Sequence, residues 1–418
     1  MNGAAPRQAL ERNVSLYPLY QALLNAYFWL PVFFLYFSER LALGQVLRLE
    51  AIYYATVVLL EVPSGYFSDR IGRRLTLLVS SSGLVVSYAL FFLGRSFEML
   101  AAAQVLLALG LAFNSGTDTA LHFDSLSALG REDEYAAREA KANQAALGGR
   151  ALAALIGGVA AAWQMRFAYG LSLLAAVGTL WVAVLFVEPM VRGPQATPGR
   201  GFVRHLGACL SRLGNRTLAW LFAFAVLMTV INHVPYEFYQ PYLDLLLDRR
   251  EIDLPVEGTP LFTGVVTAFS MMIAAWATGY SIRLRDRVGL GVTLLFTTAL
   301  QVVIMVVMGF LLHEVVVVLI LLRSVPAAVM QPPLRAAITP RLPQQLRATY
   351  LSLQSLIGRL AFAGVLLSMS LGSRPESAPD WPAISSMSLT GAILGAAGLV
   401  LLAVTARGCL VQRGQSPD

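Results

Sequence analysis

The sequence predicts an all-α membrane protein in which twelve transmembrane helices form two pseudo-symmetric six-helix bundles. Three observations predict it: an apolar composition poor in charge, twelve apolar runs of spanning length, and short motifs that recur at matching places in the two halves. Of 418 residues, 57% are hydrophobic and 13% are charged. A soluble domain carries about twice that share of charge and cannot hide so much apolar surface. The formal charge of +7 lies in short connections between apolar runs, which reads as membrane orientation and argues against a nucleic-acid partner. Cys209 and Cys409 stand far apart and offer neither a disulfide framework nor metal spacing. The amino-terminal MNGAAPRQALERN is polar and has no signal-peptide pattern.

A helix needs about 20 apolar residues to cross the hydrocarbon core. Such runs occupy 16–37, 49–67, 75–94, 98–121, 142–164, 167–188, 217–243, 259–281, 289–312, 315–334, 348–371 and 385–406. With the amino terminus in the cytoplasm, inner segments hold 21 of the 31 lysines and arginines and outer segments hold 7. The remaining three, Arg150, Arg323 and Arg359, fall inside spans. This bias places both termini on the inner side of the cytoplasmic membrane. The Pro- and Gly-rich stretch 189–216 divides the chain into bundles at 1–188 and 217–418. Within it Phe202, Leu206, Leu210 and Leu213 recur at helical spacing among arginines, predicting a short helix in the headgroup layer.

The halves echo one another. DRIG at 69–72 follows the second span of the first half, and DRVG at 286–289 follows the second span of the other. Span 5 carries Arg150 directly after a glycine, and span 11 carries Arg359 directly after a glycine. Two echoes at matching places predict an internal duplication, an architecture of secondary transporters with a site near the midplane.

GYFSDRIGRR (65–74) resembles the signature loop between helices 2 and 3 of the major facilitator superfamily, G-x-x-x-D-R-x-G-R-R/K. Gly65, Asp69, Arg70, Gly72, Arg73 and Arg74 all match. The second-half copy, GYSIRLRDRVG, inserts three residues between glycine and aspartate. The resemblance implies that this loop latches the cytoplasmic side, tied to the end of helix 11, with an acid at the end of helix 4 completing a charge relay. Asp124 occupies that position. The superfamily's antiporters carry a Gly-Pro pair in helix 5; here ALIGGVAAA has Gly157 and Gly158 and no proline, so export and uptake both stay open. Positive-inside topology alone would explain the arginines, but it requires neither Asp69 nor the paired glycines.

Intramembrane charge marks candidate sites, because an arginine at the bilayer centre costs about 3 kcal/mol. Arg359 lies about 17 Å along span 11, and Arg323 about 12 Å into span 10. In the first half Glu61, Asp118 and Arg150 form a candidate cluster. In span 7, His233 and Glu237 share a helical face with Tyr236 and Gln240 nearby, and Pro235 and Pro241 loosen the backbone there. Two readings stand for Arg150 and Arg359: substrate contact, or structural pins bonded within the protein. Tyr17, Tyr20, Tyr27 and Trp29 serve packing or interface anchoring before ligand stacking.

These residues predict secondary active transport of a small solute by a monomer. No nucleotide-binding loop occurs, so a proton gradient is the simplest source of energy, with a carboxyl among Glu61, Asp118 and Glu237 as carrier. Two second-half arginines favour an anionic or zwitterionic solute. A receptor or scaffold retaining the fold would have shed its gate and intramembrane charges, and both are present. An enzyme is not expected, since no HExxH or GxSxG pattern occurs, and no cofactor is expected either.

Overall fold

The computed structural model describes residues 7–189, 211–249, 258–338, 341–342, 344–372 and 379–410, and among them all regular structure is helical. Two compact units emerge. One comprises Met1–Leu41, Gln45–Ala196 and Leu254–Ala268; the other comprises Ala42–Gly44, Thr197–Asp253 and Phe269–Asp418. The first is built from α1 (Arg7–Leu24), α2 (Phe33–Ser38), α3 (Leu43–Ile71), α4 (Arg73–Leu93), α5 (Phe97–Asn114), α6 (Thr117–Ala128), α7 (Tyr135–Trp163) and α8 (Met165–Leu185). The second is built from α9 (Arg216–Asp248), α11 (Ser281–Val288), α12 (Leu290–Phe310), α13 (Val315–Leu321), α14 (Val325–Ile338), α15 (Gln344–Gly372) and α16 (Trp381–Leu410), with α10 (Gly258–Thr278) running from one unit into the other.

Eleven segments among the described residues are long and apolar enough to cross a membrane; the amino-terminal span, divided between α1 and α2, is the twelfth. Large apolar side chains stand outward along them, as at Leu371, Val404 and Leu59, an exposure that only lipid tolerates. Helices in lipid lack a hydrophobic drive to associate, so small residues and hydrogen bonds bring them together. In the first unit Ser80 donates to the Gly110 carbonyl at 2.6 Å and Ser87 to the Ala103 carbonyl at 2.8 Å, joining α4 to α5. In the second, Ser385 of α16 donates to Gly309 of α12 at 2.6 Å.

The sequence echoes fold alike. Gly72 and Gly289 adopt the same left-handed backbone, φ 108° with ψ 154° and φ 86° with ψ 158°, and each starts the following helix. Thr76 donates to the Gly72 carbonyl at 2.7 Å, and Thr293 to the Gly289 carbonyl at 2.9 Å. Gly149, beside Arg150, lets α7 close on Ala22 of α1, and Gly358, beside Arg359, lets α15 close on Thr229 of α9. A tyrosine ties each first span to its third: Tyr36 donates to the Phe91 carbonyl, and Tyr242 to the Leu311 carbonyl at 2.6 Å.

Three expected spans are not single helices. The first is interrupted over residues 25–32, the fourth at Ser115–Gly116, where Gly116 is left-handed (φ 78°), and the tenth at 322–324. Hydropathy counts apolar residues and is blind to such breaks, which Asn25 and Gly116 favour locally. Irregular backbone is tolerated at membrane depth only where protein or a cavity surrounds it. The predicted headgroup helix at 202–213 falls largely outside the described residues.

Gly149 and Gly148 provide a matched pair. A Cβ on Gly149 would lie 2.7 Å from the Ala22 carbonyl oxygen, whereas one on Gly148 would meet nothing within 4 Å. Gly149→Ala is expected to destabilise the protein by about 1–3 kcal/mol, seen as a lower melting temperature in detergent, with Gly148→Ala unchanged.

Candidate functional site

In the first unit a chain of polar side chains runs through the interrupted spans. It starts at Glu139 on α7, whose carboxylate lies 3.0 Å from Nδ1 of the buried His122 on α6. The His122 ring stacks on Tyr17 of α1 with centroids 4.0 Å apart. Gln21, one turn along α1, donates to the Tyr17 hydroxyl at 2.9 Å and to Asp118 at 2.6 Å. Asp118 also accepts from Asn114 at 3.1 Å and from the Thr119 backbone at 2.8 Å. Asn25 donates to Gln21 Oε1 at 3.3 Å, and Arg150 donates to Asn25 Oδ1 at 2.5 Å. Glu139 and Arg150 stand about 16 Å apart along α7.

Three members sit where the fold breaks regularity. Asn25 follows the end of α1, Asn114 ends α5, and Asp118 lies in the first turn of α6, where a carboxylate suits the helix dipole. The hydrogen-bond partners of Asp118 among the described residues, two side-chain amides and a backbone N–H, are all neutral, so a proton gained there breaks no ion pair. The Arg150 guanidinium lies 5.3 Å from the Tyr27 ring centroid, and its Nε is enclosed without a hydrogen-bond partner. The expected cluster therefore links Asp118 to Arg150 through Gln21 and Asn25, not by direct contact. Glu61 is half-buried on α3, with Ser64 donating to its backbone carbonyl at 2.9 Å. Tyr17 and Tyr20 are fully buried, in keeping with packing; Tyr20 also donates to Asn114 at 2.7 Å.

The second unit holds two groupings. Arg323, in the break between α13 and α14, lies 3.9 Å from the Tyr239 ring centroid and donates to the Ile320 carbonyl at 3.1 Å. Gln240 donates to the Tyr239 hydroxyl at 3.1 Å, and Glu237 on the same helix is fully buried. A desolvated cation over an aromatic face gains about 2 kcal/mol, which offsets part of the cost of burying the guanidinium. The second grouping is His233, whose Nδ1 donates to the Thr229 carbonyl at 2.5 Å and so leaves Nε2 as the acceptor in the neutral ring. Phe362 and the half-buried Tyr236 border that ring at 4.9 and 6.2 Å, with Arg359 near enough to act on it electrostatically.

At the signature loop, α3 ends and Gly72 turns the chain into α4. Arg73 makes an ion pair with Asp124 at 3.5 Å and donates to Ser68 at 2.8 Å. Arg74 donates to the Val184 carbonyl at 3.1 Å, and exposed Arg70 lies in the last turn of α3, where a cation favours the helix dipole. The side chain of Asp69, and Gly65 beyond its place in α3, lie outside the described residues. The carboxylate seated on the α4 amino terminus is Glu188, accepting from the Arg73 and Arg74 backbone N–H groups at 2.7 Å each. A Cβ on Gly72 would stand 3.0 Å from that carboxylate. In the α6–α7 loop, Arg131 and Arg138 hold Glu134 down to about 2. Its charge is therefore constant near neutrality, and its ion-pair contribution fades as pH falls from the ordinary carboxylate range through that low value.

Several residues here escape a scan for charge and motif. Glu188 closes the expected sixth span, next to the linker, and its partners are more than a hundred positions away. His122, near a span end, earns no role from sequence alone. Gln21, Asn25 and Asn114 are uncharged. Glu50, buried on α3 and accepting from Gln104 at 3.0 Å, was detectable as a carboxylate at the edge of an apolar run.

Twelve apolar spans, a duplicated layout and intramembrane charge around broken helices define a secondary transporter rather than an enzyme. The sequence profile of the Major Facilitator Superfamily matches residues 22–366, and the chain belongs to that superfamily. Its fold is similar to that of a mutant of the nucleoside transporter NupG, at TM-score 0.78 and 10% identity over 95% of this chain and 99% of that one. It is also similar to a D-xylose–proton symporter, at 0.71 and 14% identity over 97% and 99%. A bacterial homolog of the human lysosomal transporter Spinster, in an inward-facing and unoccupied conformation, aligns at 0.66 and 15% identity over 100% of both chains. No curated protein sequence matches the chain.

Because Glu188 caps two backbone donors with a full charge, Glu188→Ala is expected to cost about 1–2 kcal/mol. Thermal unfolding in detergent reads the loss, and Glu188→Gln should recover part of it.

Proposed function

We propose that this transporter moves a small anionic or zwitterionic solute across the cytoplasmic membrane by alternating access, coupled to protons. Asp118 is the carboxyl that loads and releases the proton. The observation that carries this reading is the polar chain from Glu139 through His122, Tyr17 and Gln21 to Asp118, continued by Asn25 to Arg150. It lines the interval between one end of α7 and the membrane interior with polar groups, Asp118 and His122 being the titratable ones within it. Arg150 supplies the solute contact: a buried guanidinium N–H without an acceptor costs free energy, and a bound carboxylate would satisfy it.

In this reading the bundles at 1–188 and 217–418 act as the two moving bodies, joined by 189–216. Arg323, Arg359, His233, Tyr236 and Glu237 line the solute path in the second bundle, with Glu61 as a further carboxyl in the first. The loop with Gly65, Asp69, Arg70, Gly72, Arg73 and Arg74, together with Asp124, latches the cytoplasmic side. Both termini are cytoplasmic, and one chain suffices.

Proteoliposomes with an imposed pH gradient, screened with anionic, zwitterionic and cationic solutes, test the proposal. Asp118→Asn should lower pH-driven accumulation at least about ten-fold while leaving solute exchange down its own gradient intact. Accumulation at the unmodified level in that variant would remove Asp118 from the coupling step, and flux of cationic solutes alone would overturn the substrate class.

A further inference from the structure

The α2–α3, α4–α5 and α7–α8 turns of the first unit border one cavity of about 710 Å³. Its lining brings together three guanidinium groups, from Arg40, Arg95 and Arg166, with the single carboxylate of Glu39. Arg40 is already committed. It donates to Glu39 at 2.6 Å and to the Tyr36 carbonyl at 2.8 Å, and it lies 4.0 Å from the Tyr36 ring centroid. Arg166 donates to the neutral amide of Gln164 at 2.6 Å and otherwise borders the rings of Phe92 and Phe167. Arg95 is exposed and makes no hydrogen bond or ion pair among the described residues. Two of the three positive charges thus face the cavity without a counter-charge.

Topology does not call for them. On the proposed orientation this is the outer face, which holds only 7 of the 31 basic residues, and three of those seven converge here. The rim is apolar and outward-facing: Leu93 is 63% exposed and Trp163 68% exposed. Tryptophan beside arginine at a span end is the pairing found at the level of lipid headgroups. A guanidinium is always ionised, and its planar donors match phosphate oxygens.

We propose that this cavity binds a phosphate-type anion between Arg95 and Arg166, a site separate from the polar chain in the membrane interior. The same chemistry is presented by the headgroup of an anionic phospholipid and by a soluble phosphate ester. The apolar rim fits the lipid, whose acyl chains would cover Leu93 and Trp163.

The full chain in nanodiscs tests this, reading the Trp163 fluorescence component as the difference from the Trp163→Phe variant. Brominated phosphatidylglycerol should quench that component in preference to brominated phosphatidylcholine. Arg95→Gln with Arg166→Gln should weaken the preference about thirty-fold, with the melting temperature unchanged. Binding of glycerol 1-phosphate in zwitterionic nanodiscs, without any lipid preference, would assign the same site to a soluble anion. Equal quenching by both lipids with no glycerol 1-phosphate binding overturns the proposal, as does a lipid preference that survives the double substitution.

Discussion

The interior of the first unit depends on the close approach of α7 to the broken first span. Gly149 meets the Ala22 backbone and Gly157 meets Phe28, so the helix lies against the stretch where α1 stops. That approach brings the Arg150 guanidinium to the Asn25 amide. In hydrocarbon, a guanidinium and a helix end each need internal partners. Here one side chain serves both: Asn25 donates to the Gln21 carbonyl at the helix end and accepts from the Arg150 guanidinium. The chain from Asn25 to Asp118 and on to Glu139 then follows from the neighbouring positions of α1 and α6.

The second unit reuses this plan with different side chains. Gly358 allows the same approach to Thr229 that Gly149 allows to Ala22, and an asparagine follows three residues on in both, at Asn25 and Asn232. Asn25 accepts from Arg150, whereas Arg359 acts on His233, one residue beyond Asn232. The tenth span breaks at Arg323, which turns to Tyr239 for an aromatic face, while the fourth breaks at Gly116 and presents carboxyl and amide groups. Duplication explains the shared backbone devices, namely the left-handed glycines and the tyrosine ties. Divergence explains why the first unit offers a hydrogen-bonded chain from Tyr17 to Arg150 and the second offers a cation set on an aromatic ring.

The backbone plan was legible, because spanning helices and turn glycines are local and strongly constrained. Gly72 and Gly289 were legible from a repeated tetrapeptide. Asp118, Arg150 and Arg323 were legible because charge in an apolar run is costly. The connections between them were not. Gln21 and Asn25 carry no charge, and their role exists only because α1 ends beside α6 and α7. Glu188 reads as the last residue of a span until the fold lays it on the α4 terminus. Breaks at Ser115–Gly116 and 322–324 hide inside hydropathy averages, since one or two residues barely move a window of twenty.

Alternation of access is the claim on which the functional account stands, and the interrupted first span is where to observe it. In a chain freed of Cys209 and Cys409, a cysteine at Ala26 can be labelled in sealed vesicles by an impermeant maleimide from either compartment. The account predicts reaction from both sides, with solute and pH gradient raising one rate as they lower the other. Reaction from a single compartment under every solute and gradient condition would contradict it.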